Sequence, residues 1–215
     1  FKKNADLSVF IRAPMPSRES FELYRRHSRR FSARGAESYE DGVGSESVLC
    51  GAVVRADRVV DGAAFETCTV GGTDATDAIR RLFAELGRED VRLLFVAGVA
   101  PAWFNLVDVE RLADAVERPV VAVSFEESEG LESALEAQFS GDELAARRAV
   151  YDALPARRPV TVGDDTVFVR AVGVDDAEAA RLVRAYTPEG GRPEPLRVAR
   201  LLARSGREWR GRDGR

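Results

Sequence analysis

Ser47-Val48-Leu49-Cys50-Gly51-Ala52-Val53-Val54-Arg55 is apolar and β-branched, and residues 58–70 continue in kind after the short link Arg55-Ala56-Asp57-Arg58. Two such runs around a tight polar link predict a β-hairpin, which Gly71-Gly72 ends. The period then changes. Ala75, Ala78, Ile79, Leu82, Phe83 and Leu86 fall at i, i+3, i+4, i+7, i+8 and i+11, one stripe of a helix over residues 73–86. Gly87 is a fitting C-terminal stop. Residues 91–97, Val-Arg-Leu-Leu-Phe-Val-Ala, are nearly continuous in apolar character, as a central strand covered on both faces requires.

Downstream of this block, residues 105–116 read as a helix, Pro119–Phe125 as the next buried strand, and 128–154 as helix broken at Ser140-Gly141. A weaker strand pair spans 159–162 and 166–172 around Gly163-Asp164-Asp165, and helices follow at 176–186 and 194–205. Upstream, residues 31–37 are expected to form a first strand ending near Glu37. Residues 1–30 carry Pro14, Pro16 and a basic stretch from Tyr24 to Arg30, and are read as a poorly ordered extension. One domain is therefore expected over 31–205, with an Arg- and Gly-rich tail over 206–215. Three antiparallel strands followed by α-β-α-β is the order of a ribonuclease H-like α/β domain. Its mixed sheet, an antiparallel meander followed by β-α-β-α, is flanked by helices, although other mixed α/β folds allow the same order.

Composition narrows the function classes. The 215 residues suit one domain, and an apolar fraction of 45% supports a packed core. No apolar run approaches the roughly 20 residues of a bilayer-spanning helix, and Leu7–Ile11 is too short for a secretory core, so a cytoplasmic location without a membrane partner is expected. Cys50, Cys68 and the single His27 fit no zinc spacing, and each cysteine reads as a small buried side chain. No P-loop or GxGxxG pattern occurs, and a Ser/His/Asp centre is implausible with His27 in the extension.

Charge is unevenly spread. The total is −4, yet residues 35–191 hold 15 Arg against 30 acids, while 1–34 hold nine basic groups against three acids and 192–215 eight Arg against three. Such an acidic, Lys-poor chain has the composition of a salt-adapted protein, in which surface acids aid solubility.

The candidate functional residues have local readings of their own. Thr73 is expected to cap the helix over 73–86, with Asp74 complementing its positive end. Those glycine-flanked amides could equally face a phosphate. Asn105 and Asp108 have the N-cap and N3 spacing of a capping box, and Asp175 with Glu178 repeats it. Arg197, Arg200 and Arg204 lie at i, i+3 and i+7 on one face of the last helix, either a solvated basic face or a track for a phosphate backbone.

The segments Gly72-Thr73-Asp74-Ala75-Thr76, Phe104-Asn105-Leu106-Val107-Asp108 and Pro193-Glu194-Pro195-Leu196-Arg197-Val198-Ala199, in this order, resemble the archaeal endonuclease dU family, a relative of endonuclease V with a ribonuclease H-like fold. The resemblance implies Mg²⁺- or Mn²⁺-dependent nicking of DNA at deoxyuridine, the product of cytosine deamination. It implies catalytic roles for Glu37, Asp74 and Asp108, metal ligation by Glu37 and Asp175, and nucleic-acid contacts from Asn105, Arg197, Arg200 and Arg204. Two positions depart from the family's pattern. Ala97 stands where relatives end the strand with Asp, and Arg200 where they carry His. A methyl group ligates no metal, so the resemblance also leaves open a nucleic-acid-binding module without turnover.

Overall fold

The computed structural model describes residues 7–12, 46–127 and 130–210. In chain order the elements are β1 (Leu7–Arg12), β2 (Glu46–Arg55), β3 (Val60–Thr69), α1 (Ala75–Leu86), β4 (Val91–Ala97), α2 (Val109–Val116), β5 (Val120–Ser124), α3 (Glu132–Gln138), α4 (Gly141–Asp152), β6 (Arg158–Val162), β7 (Asp165–Val172), α5 (Asp176–Ala185) and α6 (Glu194–Arg210). The strands form one seven-stranded sheet in the order β3-β2-β1-β4-β5-β7-β6. β1, β2 and β3 are antiparallel neighbours, β4 runs parallel to β1 and to β5, and β7 returns antiparallel to β5. This is the expected antiparallel meander followed by β-α-β-α, with β6–β7 added as a hairpin.

Alternation along the strands divides the core into two layers. Leu49, Val53, Leu94, Val96, Val120 and Ala122 face α1 and α2, packing on Ile79, Leu82, Val109 and Leu112. Ala52, Val54, Leu93, Phe95, Val121 and Val123 face α5 and α6, packing on Ala179, Val183, Leu196 and Ala199. Ile79, Leu82, Leu94 and Phe95 are fully buried, each worth about 1.5–3 kcal/mol of burial. Helix α1 can approach this closely because position 51 is glycine: a Cβ there would lie 3.2 Å from Leu86 Cδ1 and 3.3 Å from Leu82 Cγ. A third patch, Phe104, Leu106, Leu135 and Tyr151, seats α3 and α4 on the loop after β4. Cys50 and Cys68 are both free and buried, and burial pushes each thiol up to about 12.

Three expectations meet a different outcome. Leu7–Arg12, placed by sequence in a poorly ordered extension, is a strand in the middle of the sheet, between β2 and β4. Without it those two strands would lack a shared neighbour. The strand expected over 31–37, with Glu37 at its end, lies outside the described residues. Helix α6 does not stop near 205 but runs to Arg210. Gly206 serves there as a close-packing position, since a Cβ would come 2.9 Å from Phe65 Cε1 on β3.

Candidate functional site

The carboxyl ends of β4 and β5, at Ala97 and Ser124, define one edge of the sheet, and the β2–β3 hairpin extends past it. Cys50 of β2 is level with Arg12, the last residue of β1, whereas Thr69 pairs with Glu46 four residues further on. The turn after Thr69 therefore stands beside the loop that follows β4, and the two loops are bonded together. Gly71 N donates to Ala102 O at 3.0 Å. Asn105, fully buried, donates from Nδ2 to Thr69 O (2.7 Å) and to Asp74 Oδ1 (2.6 Å), and its Oδ1 accepts from Ala75 N at 2.9 Å.

Asp74 is the acceptor at the centre of this network. Its Oδ1 also takes Thr69 N at 3.0 Å, and Oδ2 takes Thr69 N at 3.2 Å and Thr69 Oγ1 at 3.0 Å. Three donor groups thus reach the two carboxylate oxygens, the Thr69 N–H being shared between them. Burial pushes this carboxyl upward, but the hydrogen bonds from Asn105 and Thr69 prevail and hold it below its ordinary value.

The helix caps are arranged differently from their sequence reading. The N-cap of α1 is Asp74, not Thr73, and its side chain makes no cap bond; Asn105, thirty residues away in sequence, accepts the first helical N–H instead. Asn105 consequently does not cap the helix that follows it. Asp108 does so, accepting from Arg111 N through Oδ1 at 2.9 Å, while its own N–H donates to Thr76 Oγ1 at 3.0 Å. Asp108 Oδ2 accepts no hydrogen bond from the described residues. Arg147 of α4, 5% exposed, completes the scaffold by donating to Gly71 O at 2.6 Å with its guanidinium 3.8 Å from the Phe139 ring centroid. No sequence pattern marked Thr69 or Arg147, and Thr76 stands in the Gly72–Thr76 motif without a role of its own there, because their bonds to Asn105, Gly71 and Asp108 join loops distant in the chain.

Asp74, Asn105 and Asp108 thus come together at the carboxyl edge, on the α1/α2 side. Asp175 does not join them. It caps α5, accepting from Glu178 N at 2.8 Å. It follows β7, whose Val172 is level with Val120, the first residue of β5. Asp175 is therefore at the opposite edge of the sheet. Glu37 lies outside the described residues. Arg197 and Arg204 are exposed on α6 and Arg200 is half-buried; Arg197 is held by Glu194 through two bonds of 2.6 and 2.5 Å.

This donor set does not by itself fit a divalent cation. Among the described residues no three His, Cys, Asp or Glu side chains are grouped closely enough to share one. Both oxygens of Asp74 already accept hydrogen bonds, Asp175 is remote, and the side chain ending β4 is the Ala97 methyl, packed in the α5/α6 layer.

Residues 35–206 match the family model described as Endonuclease dU. A UPF0215 protein of Pyrobaculum calidifontis is 36% identical over 183 residues, covering 84% of this chain and 98% of the relative. Another, of Pyrobaculum aerophilum, is 35% identical over 175 residues, covering 81% and 92%. Among solved structures, a protein of unknown function from Archaeoglobus fulgidus superposes with a TM-score of 0.70 at 22% identity, covering 93% of this chain and 96% of that one. Ciona intestinalis Endonuclease V, in complex with a 24mer DNA containing an inosine followed by a ribo-adenosine, gives 0.58 at 10% identity, covering 95% and 87%. At these identities the structural likeness speaks for a common ribonuclease H-like fold. Among the described residues, no helix is long and apolar enough to cross a membrane.

Proposed function

Since the chain belongs to the Endonuclease dU family, we propose that it is an endonuclease of deaminated DNA, nicking at or beside deoxyuridine with Mg²⁺ or Mn²⁺. The observation that carries this reading is the joining of two family-like motifs, around Asp74 and around Asn105–Asp108, at the carboxyl edge of the parallel strands. Ligands of open α/β sheets gather at that edge. Phosphodiester hydrolysis needs a water oriented toward phosphorus and a carboxylate to take its proton. We assign those tasks to Asp108, through Oδ2, and to Glu37. Asp74 and Asn105 become positioning residues, because every polar atom of theirs described above is spent on fixing the two loops. A cation at this edge would depend on Glu37 and Asp108, since Asp175 is at the other edge. Arg197, Arg200 and Arg204 would follow the phosphate backbone. Reading a deaminated base requires its nucleotide to leave the stack, at a cost of a few kcal/mol.

Ala97 favours a second reading, a protein that binds damaged nucleic acid without cutting it. One experiment separates the two. The full chain is incubated with a uracil-containing duplex and Mg²⁺ or Mn²⁺ in concentrated KCl, and nicking and retention of the duplex are both measured. Nicking that Glu37→Gln abolishes supports the endonuclease. Retention without nicking, unchanged by Glu37→Gln, supports the binding module, and neither activity rejects both.

A further inference from the structure

The α5/α6 side of the same edge has a different chemistry. Arg192, in the loop before α6, lays its guanidinium 3.7 Å from the centroid of Phe125, the residue that follows β5. That stacking fixes the plane of the fork. Its Nη1 is shielded from solvent and donates to nothing among the described residues. A guanidinium has five N–H donors and no other way to satisfy them than acceptors or water. The charges around it do not supply an acceptor. Arg200 of α6 adds a second positive charge, Glu126 opposes it more weakly, and Glu194 is already held by Arg197 through both oxygens. Burial, then the repulsion of Arg200, push the Arg192 guanidinium down to about 10. Ala97 and Phe125 pack in one layer with Ala199 and Leu202, the neighbours of Arg200 in α6. Arg192 therefore stands where β5 ends, and Arg200 is near enough for its charge to act on it.

We propose that Arg192, stacked on Phe125 at the end of β5, and Arg200 of the neighbouring α6 form a binding site for a phosphate group. Two guanidiniums match tetrahedral phosphate oxygens through charge-assisted, fork-like hydrogen bonds. A bound phosphate provides acceptors for the orphaned nitrogen and cancels the repulsion between the two cations. The site is on the other side of the sheet from the Asp74–Asn105–Asp108 network and needs neither a metal nor cleavage. It shares Arg200 with the backbone track proposed above, and stabilisation by phosphate together with Arg192→Met tests it apart from nicking. The phosphate is either a diester of a nucleic-acid strand or a free or monoester phosphate, and competition distinguishes them.

The test uses the full chain at constant high KCl. Thermal unfolding is followed with inorganic phosphate added, and affinity for a short fluorescent single-stranded DNA is measured with and without phosphate. For the unsubstituted protein, phosphate raises the melting temperature. Phosphate that also displaces the DNA identifies a backbone site, and stabilisation without displacement identifies a free-phosphate site. Arg192→Met is expected to lose the phosphate response and, for a backbone site, to weaken DNA binding about tenfold or more. Its melting temperature without phosphate is expected to stay the same or rise, because a buried orphan charge and a repulsion have both been removed. If Arg192→Met does not fold, Arg200→Met gives the same readout from a half-buried position. An unsubstituted protein indifferent to phosphate, with DNA affinity unchanged in Arg192→Met or Arg200→Met, overturns the proposal, whatever the nicking assay gives.

Discussion

Replacing Asn105 by alanine should do more damage than its small size suggests, and the damage should depend on pH in a defined direction. Asn105 is fully buried and makes three bonds: to Thr69 O, to Asp74 Oδ1 and from Ala75 N. Two of them join neutral groups and contribute about 1 kcal/mol each, while the bond to the carboxylate contributes about 1.5–3 kcal/mol. The loss should total about 3.5–5 kcal/mol, a large part of the roughly 5–15 kcal/mol that holds a domain folded. Ala75 N would be left unpaired, since water reaches a buried position poorly, while Thr69 O would keep only its bond from Gly72 N.

The pH dependence follows from Asp74, whose folded carboxyl is held below the ordinary 3.8 chiefly by Asn105, against burial. A depressed carboxyl contributes stability that is present above its unfolded value and is lost as pH falls through the folded value. Removing Asn105 cancels much of that contribution. The difference between the two proteins should therefore be widest at neutral pH and should narrow as pH falls below 3.8. Urea unfolding of both proteins at fixed KCl, repeated across this range, measures it. A loss below about 1 kcal/mol, or one that stays constant into acid, would mean that the buried amide does not hold the two loops together.

Other substitutions divide structural from chemical duty. Asp108→Asn keeps an acceptor for Arg111 N and should leave stability within about 0.5 kcal/mol while lowering any nicking rate; Asp108→Ala should cost about 1 kcal/mol by urea unfolding as well. Asp175→Ala should cost a similar cap energy, about 1 kcal/mol, with nicking and DNA affinity unchanged, because it caps α5 at the opposite edge. Gly206→Ala should not yield the ~0.5–1 kcal/mol that alanine usually gains in a helix, because its Cβ would lie 2.9 Å from the Phe65 ring; in a Phe65→Ala background the gain should return. If a missing carboxylate limits turnover, Ala97→Asp in an Arg200→Ala background should raise Mn²⁺-dependent nicking of a uracil duplex, and an unchanged rate in that background would exclude that limit.

What could be read from the sequence depended on whether the signal was local. The β2–β3 hairpin, the α1 stripe and the apolar run of β4 each carry their period within a dozen residues, and all three fold as read. The Ser140-Gly141 break likewise separates α3 from α4. The caps were misassigned because α1 is capped from another loop: Thr73 and Asp74 satisfy a capping pattern, but the acceptor comes from Asn105. β1 was missed because six residues give too short a window, and only pairing with β2 and β4 makes Leu7–Arg12 a central strand. The grouping of site residues was legible in part. Asp74, Asn105 and Asp108 do meet, whereas the separation of Asp175 depends on β7 running antiparallel to β5, a fact of register that motif spacing does not contain.

Direction of charge is what divides the two sides of the edge. Around Asp74 the donors are neutral amides and a hydroxyl, so the negative charge is solvated internally and the loops gain rigidity without attracting a counterion. Around Arg192 the excess is positive, and the stacked Phe125 supplies packing but no full counter-charge. A divalent cation placed at the end of β4 would meet the Ala97 methyl and, in the same layer, two guanidiniums that repel it; an anion would meet the reverse. Substituting the alanine alone would leave that repulsion in place, since a new carboxylate can pair with Arg200 as readily as with a metal ion. A carboxylate introduced at position 97 would thus have to be considered together with the cation at 200, and the charge around Arg192 favours phosphate over metal on the α5/α6 side of this sheet.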